Sequence, residues 1–148
     1  MDDLESKLAI HELLSNYCFF VDARDWKQLR PLFTDDAEWV TGYANAHGGD
    51  EVIRLLDRLV PAEGQGPRRM HFVANLVTTV RGDRATARSN YVIYRASEGG
   101  IIPSVVGTYH DELRREDGAW RFGKRNIVHH MTGDMGLSTT HEPPGNTA

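Results

Sequence analysis

With a single cysteine, Cys18, the chain can form no disulfide within itself, so its fold must rest on a packed core. It also lacks any uninterrupted apolar run long enough to cross a bilayer, and its first residues, MDDLESKLAIHELL, are acidic where a signal peptide would be basic. A soluble protein of a reducing, cytoplasmic compartment is expected. Excess positive charge is missing too: 17 Lys and Arg stand against 21 Asp and Glu, for a net charge of −4, and the basic residues are scattered. Neither nucleic acid nor a membrane surface is therefore an expected partner. Phosphate cradles and hydrolase signatures are absent as well. Gly64-Gln65-Gly66 has no strand before it and no helix after it, and His11-Glu12 lacks the second histidine of a zinc helix. His129 and His130 are adjacent on a strand pattern and project to opposite faces. No metal site is read from these residues and no cofactor is implied.

What is present describes one domain. The chain has 148 residues, 40% of them apolar and 26% charged, which is enough to build a core and too apolar for a disordered chain. Leu4, Leu8, Leu14, Cys18 and Val21, joined by Leu13 and Tyr17, recur at helical spacing and predict a helix from 3 to about 22. Asp25 reads as the N-cap of a short second helix limited by Pro31, with turn chemistry at Thr34-Asp35-Asp36. A short strand, 37–41, and a loop, YANAHGG, lead to a third helix after Asp50 that Pro61 ends. From Met70 the pattern changes to period two. It predicts four long strands, Met70–Val80, Ala85–Arg95, Ser104–Arg115 and Trp120–His130, joined by the turns RGDR, SEGG and EDG. Helices first and an antiparallel sheet afterwards give an α+β fold, in which the three helices cover one face of a curved sheet. The domain spans 1–130, and the Gly, Thr and Pro-Pro of 131–148 form a C-terminal tail.

Four residues stand out for chemistry, each with a plainer reading beside it. His71, on a strand face shared with Val73, Asn75 and Val77, is a hydrogen-bonded core histidine or a base. Asp22 ends the first helix, where the dipole disfavours an anion and an imidazolium would compensate it; Asp25 competes, although it reads as a cap. Tyr17 is a core tyrosine or a phenol donating into a cavity. Arg125 is a solvent-facing strand residue or a cation that stabilises a departing anion.

The segments YCFFVDARDW (17–26), FTDDAEW (33–39), RRMHFVANLVTTV (68–80) and VVGTYHDELRREDGAWRFGKRN (105–126) resemble the NTF2-like superfamily in its SnoaL-like and scytalone-dehydratase-like branches. The resemblance is closest to small cofactor-free lyases of the hexachlorocyclohexane dehydrochlorinase and bile acid 7α-dehydratase type. It implies a cone-shaped α+β barrel in which His71 is the catalytic base, Asp22 and not Asp25 is its partner, and Tyr17 and Arg125 assist the leaving or enolate oxygen. Tyrosine at 17 matches the dehydratase pattern, whereas the dehydrochlorinase has lysine there, which favours an oxygen leaving group over chloride. The resemblance further places Asn90 and His110 among substrate contacts, with Trp39 as core or cavity wall. It implies a homodimer or homotrimer acting on a small hydrophobic or polycyclic substrate. Isomerisation or polyketide cyclisation in the same pocket is the alternative, as is a non-catalytic ligand-binding or oxygenase small-subunit role.

Overall fold

The computed structural model describes residues 3–133. The elements run α1 (Asp3–Ala23), α2 (Trp26–Leu29), a 3₁₀ turn (Arg30–Leu32), β1 (Phe33–Val40), β2 (Asn45–His47), α3 (Gly49–Leu59), β3 (Arg69–Arg81), β4 (Arg84–Ser97), β5 (Gly100–Glu116) and β6 (Ala119–Thr132). They form one six-stranded sheet in the order β2-β1-β6-β5-β4-β3. Every pairing is antiparallel except β1 with β6, which is parallel. The three helices cover the concave face, as expected, but β2 and β3 are both edges and the sheet is not closed into a barrel.

Several local expectations are corrected. Asp35 and Asp36 do not turn; β1 begins at Phe33 and carries both on its exposed side, where Arg30 and Arg114 pair with them. The loop expected before α3 contains β2, whose three residues are too few for a period to register. Leu4 and Leu8 are exposed, and the buried stripe of α1 is Ser6, Ile10, Leu13, Leu14, Tyr17, Cys18 and Val21. The tail expected after His130 lies outside the described residues from 134 onward, while Met131 and Thr132 belong to β6.

Two bulges set which side chains face the helices. Between Ala74↔Asn90 and Val77↔Arg88, β3 has one residue more than β4. Asn75 absorbs it in the left-handed region, φ 55°, a conformation asparagine tolerates better than most residues. The strand thereby changes face: His71 and Val73 point inward with Leu76, Thr78 and Val80, whereas Val77 is 59% exposed. The expected common face of His71, Asn75 and Val77 is therefore broken. On β6 the register slips between Glu112↔Lys124 and Leu113↔Phe122, so Phe122 and Arg125 are both buried although three residues apart.

Arg125 occupies the bottom of the core with no exposed surface. Its Nε and Nη2 donate to the two oxygens of Asp111, each at 2.8 Å. The guanidinium carbon lies 4.1 Å from the ring centroids of Tyr17 and Tyr109 and 4.2 Å from that of Phe122. Burial alone would lower the Arg125 pKa, but the Asp111 carboxylate outweighs it and holds the group above its ordinary value, so the pair is ionic. Asp111→Ala should strand that charge, at a cost of about 3–5 kcal/mol read as a lower urea midpoint. The double replacement Asp111→Leu with Arg125→Met should recover most of the loss.

Candidate active site

Helix α1 stops where it does because Arg24 takes a left-handed conformation, φ 54°, just beyond its end. The amide of Arg24 then donates to the carbonyl of Val21 at 3.1 Å and that of Asp25 to the carbonyl of Phe20 at 2.8 Å, the paired bonds of a Schellman stop. Arg24 is secured from outside by Asp57 and by the carbonyl of Val60, at the end of α3. Asp25 caps α2 by accepting from the amide of Gln28 at 3.1 Å. The last turn of α1 is thereby fixed, and Asp22 stands on it facing β3.

The Asp22 carboxylate meets His71 twice. The His71 amide donates to Oδ2 at 2.9 Å, and ring atom Nδ1 is 2.6 Å from Oδ1. Because an ionised carboxylate only accepts, Nδ1 carries the proton and the lone pair of the neutral ring sits on Nε2. The two side chains are only 12% and 17% exposed, and both line a cavity of about 510 Å³ between the sheet and α1 and α3. Asp25, the competing acid, is committed to its cap.

Tyr17 and Trp39 line the same cavity. The indole Nε1 of Trp39 donates to the Tyr17 hydroxyl oxygen at 3.2 Å, which leaves the phenol's own proton free for another acceptor. Burial raises the Tyr17 pKa, against the opposing pull of Arg125 and the Trp39 bond, so the phenol stays protonated. Arg125 does not line the cavity. It lies behind the rings of Tyr17 and Tyr109, so the expected contact with a departing anion is not available to it.

Asn90 and His110 are withdrawn as substrate contacts. Tyr91 and Tyr109 point into the cavity, so their neighbours in the chain point away; Asn90 and His110 are exposed on the outer sheet face. The site contains polar residues not anticipated as site residues, Tyr91 and His129. Phase with the buried Ile127 and Arg125 on β6 places His129 inward, a signal legible in the alternation. Burial lowers the His129 pKa, so its ring is neutral near pH 7.

The comparisons with known proteins agree with the fold. Gamma-hexachlorocyclohexane dehydrochlorinase of Sphingobium indicum is 28% identical over 150 residues, covering 98% of this chain and 93% of that one. An NTF2-like protein of Novosphingobium aromaticivorans with a cystatin-like fold superposes with a TM-score of 0.77 at 29% identity, over 90% of this chain and 87% of the other. The hexachlorocyclohexane dehydrochlorinase LinA-type3 of Novosphingobium barchaimii LL02 gives 0.75 at 27% identity, over 88% and 90%. The two structures share the fold, and the SnoaL-like domain model matches residues 2–126. The chain belongs to the SnoaL-like domain family and has its NTF2-like, cystatin-like fold.

Proposed function

We propose that this protein is a cofactor-independent lyase that removes water from a small hydrophobic or polycyclic substrate by β-elimination. The observation that carries this reading is the 2.6 Å contact between His71 Nδ1 and Asp22 Oδ1 on the wall of a cavity that also holds a protonated phenol. The kinship with dehydrochlorinases supports elimination as the reaction class. A non-catalytic member of the fold has no need of this pairing.

In the proposed step, Nε2 of His71 takes a proton from a carbon beside an electron-withdrawing group. The electrons of that C–H bond form the new C=C bond, the neighbouring C–O bond breaks, and the leaving oxygen takes the Tyr17 proton to depart as water. Asp22 balances the imidazolium. Arg125, against the face of Tyr17, and the Trp39 N–H stabilise the phenolate formed, as preorganised charge does at a site shielded from water. Return of the imidazolium proton to the phenolate restores both groups. Isomerisation and aldol cyclisation begin with the same proton removal; a phenol positioned as donor favours loss of hydroxyl.

His71→Ala should abolish turnover of candidate β-hydroxy ketones while leaving the circular dichroism spectrum unchanged; retained turnover would remove His71 as the base. Tyr17→Phe should slow dehydration by about 10²–10⁴-fold with little effect on substrate affinity, the usual value of one general acid. Equal rates for hydroxyl and chloride substrates in the wild type would argue against Tyr17 as that acid.

We further propose that the outer sheet face joins copies of the chain into a homodimer or homotrimer. Met70, Phe72, Val77, Tyr94, Ile101 and Met131 are exposed, and Phe72 packs edge-on against Tyr94 at 5.6 Å. Light scattering should give two or three times the 16.7 kDa chain mass, and Phe72→Glu should shift it toward one.

A further inference from the structure

We propose that His129 and the hydroxyl of Tyr91 form a second polar subsite in the cavity. This subsite binds a neutral oxygen substituent, a carbonyl or hydroxyl, at the end of the substrate remote from its acidic carbon. The inference rests on the reading of this cavity as the substrate site and goes beyond it by requiring a substrate with oxygen functions at both ends.

The subsite is built by register. Val73, Tyr91, Gly107 and His129 are successive partners across β3, β4, β5 and β6, so they form one row beneath the cavity. Tyr91 lies stacked on Tyr109, with centroids 4.2 Å apart and planes 9° from parallel. Its hydroxyl reaches over β5 because residue 107 is glycine: a Cβ there would sit 2.7 Å from that oxygen and 2.1 Å from the carbonyl of Val128. His129 stands between the rings of Tyr43, at 5.4 Å, and Tyr91, at 6.2 Å.

Among the described residues neither group has a hydrogen-bond partner. The Tyr91 hydroxyl is buried with no acceptor or donor among the described residues, and Tyr91 as a whole is 2% exposed. Burial pushes its pKa up, so it keeps a proton that it gives to no one. Neither imidazole nitrogen of His129 bonds to protein among the described residues, whereas its neighbour His130, on the other sheet face, meets Thr108 at 2.8 Å. A buried phenol is rarely left so, and beside a half-buried imidazole on the same cavity wall it calls for a partner that enters the cavity. A neutral imidazole beside a neutral phenol suits a carbonyl or hydroxyl better than a carboxylate.

His71 and His129 stand on strands three apart in the sheet, roughly 14 Å along a flat surface and less on this curved one. The wall between them carries Ile93, Val105 and Ile127. A molecule touching both ends therefore has an apolar middle of about two fused rings and an oxygen at each end.

The test uses 1-tetralone and 6-hydroxy-1-tetralone, which differ only in the second oxygen, with dissociation constants from titration calorimetry. The wild type should bind the hydroxylated compound about three- to tenfold tighter, the usual worth of a net hydrogen bond. His129→Leu should abolish that preference and leave 1-tetralone affinity unchanged. Tyr91→Phe should reduce the preference, and His129→Gln, which keeps a donor and an acceptor, should retain part of it. His71→Ala should leave it intact. An undiminished preference in His129→Leu and Tyr91→Phe, or failure of the wild type to bind either compound, overturns the inference. If the preference depends on His129 while no variant or wild-type protein eliminates water, the subsite stands and the lyase reading falls.

Discussion

A charged pair sealed in the core, Arg125 with Asp111, is the constraint from which the arrangement of the cavity follows. Burying a guanidinium demands a carboxylate in fork geometry and ring faces for the nitrogen left over; β5 supplies Asp111 and Tyr109, β6 supplies Phe122, and α1 supplies Tyr17. Because Tyr17 is one wall of that cage, the rotation of α1 over the sheet is fixed where the cavity begins. Asp22, further along the same helix, inherits its place from this contact. Ion pairs of this kind add little net stability over apolar packing, and their value here lies in specifying one arrangement of helix on sheet.

A second anchor lies beyond Tyr17, at the C-terminal end of α1. The Schellman stop and the grip of α3 on Arg24 hold Asp22 against the edge strand, so the dyad joins helix to sheet at a point where the sheet has no further strand. The His71 imidazole is thus held by two rigid elements, and its pairing does not depend on a loop. Tyr17, which belongs to the first anchor, and Trp39 complete the donor side of the cavity.

The order of elements was legible in the sequence because it depends on local signals: helical period, caps, alternation, turn residues. The pairing of Asp22 with His71 was implied by the family resemblance, since no local signal joins residues 49 positions apart. Which face a strand shows after a bulge was not legible. Nothing in FVANLV announces that Asn75 shifts the phase, and the slip around Gly123 is what lets Arg125 enter the core three residues after Phe122. Alternation did contain the answer for Asn90 and His110, since each is next to an inward tyrosine. His129 was equally legible from its phase with Ile127, but the pair His129-His130 was weighed only as metal ligands. The cage around Arg125 joins two strands to one helix through long-range contacts, and no spacing along the chain encodes it. Whether the outer face assembles copies is likewise a property of surfaces and not of periodicity.

The Asp22 carboxylate has two duties that are usually separate. One oxygen orients the imidazole, while the other accepts the main-chain N–H of His71 on the exposed rim of β3. That N–H would otherwise be an open invitation to a foreign strand. The acid is therefore also an edge guard, whatever the pair does to a bound molecule. Removing the carboxylate would bare a strand edge as well as free the imidazole, so a change at Asp22 disturbs the sheet and the cavity together, whereas a change at the His71 side chain leaves the guarded main-chain N–H in place.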